Sequence, residues 1–533
     1  MTTVVDVEIR FADAWEAHGR AEVVAIREAD DPRAVAAART RRRSAIDLAV
    51  VALAALASDG LDHEDIRAVA SMRETLELLD SDDPVLTLAI DTSDVGTDDR
   101  SAAEVLEVDG LAALLLRSSA GYTRAADAVD LDGETVDRPE VLARLATEPD
   151  PAHRHRMFLA LEPIWRAVDG DGGAGSPYRV ALQASADGWR RDGSPVDANA
   201  RSLGVDPADI EPWLRAILLT WQDVAVRRQV EPWDERFQTG TFGRAFDDAR
   251  PTADDLLGID HAYYSALGAD PSALGIHYDI APRPGRGPVA VAFSLDVGVP
   301  RRTAEGWIPG EQWVIADYGR PRIPDLAELL HETGHAIHGC ALRTRPAFAV
   351  MREEQTTLIE ALGDIAAWDL YEPAWQTRWL GRSVSLEEGL RARYGDVVRD
   401  VAWSLFEIVL HQSPERAPND VWTEITSEYL GIVPHPEWSW WAIRGQLVQS
   451  PGYMVNYGLG AIVTADIRAR LHELRGDWSG GDPGWYAAVS EAIYRWGGER
   501  DPSDVLEAFL GRPISPDAIL ADIRRLGETT ATA

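Results

Sequence analysis

The sequence predicts a mainly α fold with a small β component, on three observations. Residues 1–150 alternate Ala/Leu-rich segments of helical period with Asp/Gly turns, such as Ser58-Asp59-Gly60 and Asp130-Leu131-Asp132-Gly133. From residue 355 onward the pattern is again mainly helical, broken by the loop Ser479-Gly480-Gly481-Asp482-Pro483-Gly484. Between these regions two short stretches, Val289–Ser294 and Trp313–Asp317, are rich in β-branched and aromatic residues and flanked by turn residues, which predicts strands. The segment Asp169–Pro177 predicts a flexible loop. It is not a calcium loop, because the twelfth position is Val180 and carries no acid.

Composition narrows the function classes. The chain has 533 residues, ample for a large core. Its formal net charge is −36, which argues against nucleic acid as a partner, since phosphate binding needs clustered positive charge. An acidic surface suits neutral or cationic ligands, but solubility is the simpler reading. All 52 basic residues are arginine, and no residue-level argument explains the absence of lysine. The single cysteine, Cys340, excludes an internal disulfide and suggests a reducing, cytoplasmic setting. It reads as a small buried thiol rather than a ligand, because Gly339 is expected to end the helix before it. The first residues lack a basic segment and an apolar core, so no secretory signal is expected. The apolar run Ala45–Ala57 after Arg41-Arg42-Arg43 is too short for a bilayer and contains Asp47, so a buried helix and no membrane partner are expected.

The most informative segment is His331-Glu332-Thr333-Gly334-His335. Histidines four apart share one face of a helix, so both rings can reach one metal ion. Glu332 sits about 100° round the helix, where it can deprotonate a metal-activated water. Zinc suits such a donor set, with one position left open. Two surface histidines would satisfy the bare pattern equally well, but the flanks argue otherwise. Pro324-Asp325 forms a helix start, and Leu326, Leu329, Leu330, Ala336 and Ile337 follow at helical spacing. The histidines therefore lie on a mostly apolar helix, where buried polar groups need partners.

Zinc needs a third protein ligand. Position 341 is alanine, which rules out a histidine ten residues after the first, and His338 is wrongly spaced. Glu353, Glu354 and Glu360 are the nearby acids. Glu360 lies in the apolar helical run Leu358–Asp364, and Asp364 one turn on can orient a ligating histidine. Glu353 and Glu354 stand beside Arg352 in a polar stretch that reads as a solvated face.

Several segments resemble known metallopeptidases. His331–Gly339, HETGHAIHG, resembles the zinc helix of the thimet-type oligopeptidases, and Glu360 falls at that family's spacing for its glutamate ligand. Glu360–Asp364, EALGD, resembles the corresponding segment of angiotensin-converting-enzyme type dipeptidases. Gly452–Gly460, GYMVNYGLG, resembles a segment of the Taq-type carboxypeptidases, and Glu231-Pro232-Trp233-Asp234 is similar to an oligopeptidase segment. The matches lie between residues 231 and 460.

The resemblance implies a gluzincin: a two-lobed helical metallopeptidase with a deep central cleft and a small β-sheet beside the active site. The implied division is an N-terminal helical region, 1–150, and a catalytic region, 151–533, with interlocked lobes. It further implies one zinc per chain on His331, His335 and Glu360, with Glu332 as general base and Asp364 behind His331. Tyr453 and Tyr457 would be oxyanion donors, although core packing accounts for such tyrosines as well. The sequence departs from the family in one respect. The related enzymes carry a histidine shortly before this tyrosine; Arg444–Pro451 contains none, and Gln446 and Gln449 are the nearest neutral donors. The expected substrate is a short peptide, since a deep cleft excludes folded proteins. The alternative is a dedicated small-molecule substrate in a recast cleft, suggested by the missing histidine and by 19 tryptophans.

Overall fold

The computed structural model describes residues 2–57, 60–80, 100–226, 228–287, 289, 291–350 and 355–531. The turn Ser58-Asp59 and the acids Glu353 and Glu354 lie outside the described residues. The chain is mainly α, as expected, with small two- and three-stranded sheets. It forms two compact units, each assembled from three segments: 1–90, 250–367 and 475–512 in the first, and 91–249, 368–474 and 513–533 in the second. Residues 1–150 contribute to both.

The first unit begins with paired helices Val4–Arg27 and Pro32–Ala54. Thr3 and Asp6 form a capping box on the former, and Asp31 with Pro32 starts the latter. Their inner faces join the third helix, His63–Asp80, around Phe11, Ile46, Met72, Leu76 and Phe348. The helix expected to be buried at Ala45–Ala57 buries one face only: Ile46 and Ala49 are enclosed, whereas Leu48 is 54% and Val51 65% exposed. No helix among the described residues is long and apolar enough to cross a membrane.

The larger sheet of this unit has three strands. Gln312–Ile315 is central, parallel to His277–Asp279 and antiparallel to Phe293–Asp296. Both expected strands are present with shifted limits. Among the described residues the strand expected at Val289–Ser294 runs Phe293–Asp296, and the one expected at Trp313–Asp317 runs Gln312–Ile315, where all four residues are buried. Trp15 ties the first helix to this sheet by donating its indole N–H to the Asp296 carbonyl at 2.9 Å. Arg345 bonds Glu8, Glu64 and Asp65 at 2.8–3.1 Å, so one guanidinium joins three separated segments of the unit.

In the second unit the long helix Leu386–Gln412, capped by Ser385 and Glu388, is buried over most of its surface. Helices Pro207–Ala225, Pro418–Tyr429 and Asp517–Ala531 pack against it. The turn expected at Asp130–Gly133 joins two short strands. Its central residues, Asp132 (φ 54°) and Gly133 (φ 86°), take the left-handed values that a two-residue hairpin needs. The loop after Asp169 is tied down rather than free: the buried Asp169 carboxylate accepts from Ser176 at 2.7 Å and from Ser439. Much of the tryptophan content is core, since Trp375, Trp422, Trp441, Trp478 and Trp485 are fully enclosed.

Candidate active site

The HETGH segment lies in helix Leu326–Ala341, after a 3-10 turn at Ile323–Asp325. Leu326, Leu329, Leu330, Ala336 and Ile337 are all buried, as their spacing predicted. The expected stop at Gly339 is not observed: the helix continues to Ala341 and encloses Cys340. Packing, not termination, explains this glycine. A Cβ there would stand 2.6 Å from the Gln312 side chain on the central strand. Burial pushes the Cys340 thiol up to about 12, so it is an inert small hydrophobe.

His331 and His335 meet edge-on, with ring centroids 4.5 Å apart and Nε2 atoms 2.9 Å apart. Glu360 comes from the next helix, Thr356–Ala367, and its Oε2 lies 3.7 Å from His331 Nε2. One donor atom from each of the three residues falls within 4.8 Å of the others, the only group of this kind among the described residues. Asp364, one turn after Glu360, holds His331 Nδ1 at 2.8 Å. With Nδ1–H donated to the carboxylate, Nε2 is the ring nitrogen that faces His335 and Glu360.

Two glycines that the motif reading passed over make this convergence possible. A Cβ on Gly334 would stand 2.4 Å from the Gly363 carbonyl oxygen. A Cβ on Gly363 would stand 2.9 Å from Cε1 of both histidines. Only a glycine pair lets the helices approach closely enough for Glu360 to reach the imidazoles. Beneath the motif, Thr333 donates to the fully buried Asp260 at 3.1 Å, Tyr278 stands 3.1 Å from the Thr333 hydroxyl, and Tyr264 donates to the Leu330 carbonyl at 2.5 Å. Burial holds the Asp260 carboxyl well above the usual carboxylate range. No local sequence signal marks Asp260, because it reaches the motif only through tertiary packing.

The donor set fits a divalent ion. Two imidazole nitrogens and a carboxylate oxygen converge in a half-buried setting, within reach of one ion. Burial, then His331, holds His335 well below the usual histidine range, so its ring is neutral and has a lone pair to give. Burial also opposes charge on His331, but Asp364, Glu332 and Glu360 outweigh it and raise that ring to about 10. Such a group favours a positive neighbour, whether a proton or a metal. Burial, with Glu328 and Glu360 adding to it against His331, lifts Glu332 to about 7, a poise suited to proton transfer near neutrality. Glu332 also accepts from the Ser294 amide of the edge strand Phe293–Asp296.

The tyrosines belong to the second unit. Tyr453 is in the turn before helix Met454–Arg475, and Tyr457 is in its first turn. Their rings lie 5.5 Å apart, edge to face, and both are half-buried. Gln446 Nε2 lies 3.4 Å from the Tyr457 hydroxyl, and the Arg444 guanidinium is 5.3 Å from that ring's centre.

No protein-family model and no curated protein sequence matches this chain. Solved structures do. The chain is similar to an M32 carboxypeptidase from Deinococcus radiodurans R1, with 16% identity, 99% of each chain covered and a TM-score of 0.61. It is similar to a putative oligoendopeptidase F, with 14% identity, 100% of this chain and 97% of that one covered, and a TM-score of 0.56. Metallocarboxypeptidase 1 of Trypanosoma cruzi gives 13% identity, 98% and 99% coverage and a TM-score of 0.50. At such identities the likeness is one of fold: the chain has the mainly helical fold of these peptidases over its whole length. The thimet-type and converting-enzyme resemblances rest on the sequence segments alone.

Proposed function

We propose that this chain is a zinc-dependent peptidase that hydrolyses short peptides, with one zinc per chain held by His331, His335 and Glu360. The observation that carries the reading is the convergence of those three donors beside Glu332, in a fold shared with carboxypeptidases and an oligoendopeptidase. Zinc in that position supplies Lewis acidity, lowering the pKa of water and polarising a carbonyl.

The chain's own groups do the rest. Glu332 takes the proton of the attacking water and later delivers it to the leaving amine nitrogen. Asp364 fixes the tautomer and orientation of His331. Strand Phe293–Asp296 is an edge strand of its sheet, the kind of element that pairs with an extended peptide backbone regardless of side-chain identity, with its Ser294 amide and Asp296 carbonyl already engaged by Glu332 and Trp15. Tyr453, supported by its motif, donates to the carbonyl oxygen as charge develops on it, and Tyr457 is the weaker candidate. The buried, reduced Cys340 supports a cytoplasmic setting.

Elemental analysis and a quenched-peptide library with added zinc test this reading together. The expected result is one zinc per chain, loss of that zinc in His335→Ala and Glu360→Ala, and cleavage of short peptides. Full occupancy in both variants would refute the ligand set. A zinc-loaded protein that cleaves no peptide would favour a dedicated small-molecule substrate.

A further inference from the structure

The turn that carries Tyr453 is gripped by a buried carboxylate on another helix. Ser404 and Glu407 are three residues apart on helix Leu386–Gln412 and so share one face. Glu407 is 1% exposed. Its Oε1 accepts from the Gly452 amide at 2.6 Å, and its Oε2 accepts from the Met454 amide at 3.1 Å. The Ser404 hydroxyl donates to the Met454 carbonyl at 2.6 Å. Tyr453 itself donates its amide to the Ser450 carbonyl at 2.9 Å. Three successive amides, Gly452 to Met454, are therefore anchored, and the residue between the two that Glu407 holds is the tyrosine.

The arrangement is demanding. An ionisable side chain is enclosed with two backbone amides as its partners and no basic side chain in an ion pair with it among the described residues. Burial accordingly raises its pKa to about 8, with the two amides opposing the shift. The turn has no room to relax elsewhere. Gly452 has φ +94°, and a Cβ on it would stand 2.8 Å from Pro195 Cγ and 2.9 Å from Trp189 Cζ2. Ordinary loop closure needs none of this, and Met454 is also the first residue of a helix whose opening amides lack partners within it. With the backbone fixed on both sides, the orientation of the Tyr453 phenol is left to two side-chain torsions.

We infer that Glu407, assisted by Ser404, is a positioning residue that clasps Gly452 and Met454 and thereby fixes the orientation of Tyr453, the residue read above as the oxyanion donor. The inference rests on the reading of Tyr453 as the oxyanion donor. In Glu407→Gln one amide loses its acceptor and meets an N–H₂ group instead, with almost no change of volume.

A double-mutant cycle tests it, using an internally quenched peptide that the zinc-loaded wild type cleaves. Glu407→Gln is expected to keep full zinc and to lower kcat at least about tenfold, with KM within about twofold. The pair Glu407→Gln/Tyr453→Phe is expected to fall no more than about twofold below Tyr453→Phe alone, because both changes remove one function. Wild-type kcat in Glu407→Gln, or losses that multiply in the pair, would overturn the inference. A Tyr453→Phe protein with wild-type kcat would instead sink the reading of Tyr453, and the positioning role with it. Hydrogen exchange then decides whether the clasp exists: Gly452 and Met454 should exchange faster in Glu407→Gln with the remainder of the helix unchanged, and unchanged rates at both amides would remove the clasp as well. Should Glu407→Gln not fold, Ser404→Ala takes its place in every arm, with a smaller expected loss of about threefold in kcat; no loss in kcat and no change in exchange would overturn the proposal.

Discussion

Gly363 decides whether two imidazoles and a carboxylate can share an ion. Alanine at this position would put a methyl group 2.9 Å from both histidine rings, and they would have to rotate apart. Gly363→Ala is therefore expected to weaken zinc binding at least about tenfold while leaving most of the fold intact, a loss of the size produced by disturbing groups that orient metal ligands. Competition with a chromophoric chelator measures it; unchanged affinity would show that the rings have slack. Glu332→Gln is the complementary change. The amide cannot take a proton from water, so zinc should remain and kcat should drop at least about 10²-fold, checked by metal content and turnover on one peptide. At this scale the sequence was most legible where spacing along one helix carries the chemistry. His331, His335, Glu332 and the Glu360/Asp364 pair were all readable as periodic positions, and the structure brings them together. Gly363, Asp260 and Glu407 were not readable, because each acts across a contact between segments far apart in the chain.

At the scale of elements, the contact between helices Leu326–Ala341 and Thr356–Ala367 governs the site. Gly334 faces the Gly363 carbonyl so closely that a methyl group there would stand 2.4 Å from a backbone oxygen that cannot swing aside. Gly334→Ala should destabilise the protein by about 1–3 kcal/mol, the usual range for overpacking, and lower zinc affinity as the helices separate. A shifted urea midpoint at constant slope would register the first effect. The helical periods of this pair were evident in the sequence, and the apolar positions fell where expected. The limits were less evident. Gly339 reads as a stop when only propensity is considered, yet the neighbouring strand requires a glycine there for space, and the helix runs through it. The strand near Val289 reads longer than it is because the β-branched residue type alone does not make a segment pair: Val291 is 61% exposed in a bend before the strand begins.

At the scale of the molecule, many arginine–carboxylate contacts accompany the large negative charge. In the second unit Arg393, whose side chain is 2% exposed, binds Asp522, which also contacts Arg525 and the Tyr394 hydroxyl. Burial opposes the charge on Asp522, but Arg393 and Arg525 outweigh it and hold the carboxyl well below the usual range. A carboxyl depressed in the folded state contributes stability that is complete above the unfolded pKa of about 3.9 and is lost as pH falls below it. Urea midpoints measured from pH 5 down to pH 3 should therefore fall, and part of that slope should vanish in Asp522→Asn. The mainly α class was plain in the sequence. The assembly of each unit from three separated segments was not, because no composition shift or linker marks residues 367 or 512, and the loop after residue 474 reads as an ordinary break between helices.

That interleaving sets an order of events during synthesis. The HETGH helix belongs to a unit whose last segment ends at Arg512. Arg67 near the start of the chain donates to the carbonyls of Gly498 and Glu499, and Gln355 donates to that of Gly497. When the ribosome has just finished the Glu360 helix, both halves of the donor set exist but the scaffold that should enclose them does not. At roughly 5–20 residues per second, the nascent chain waits roughly seven to thirty seconds before its closing segment is made. During that interval its apolar helices lack the segment that completes their unit, and a chain truncated before residue 475 would lack the carbonyls that Arg67 and Gln355 bind.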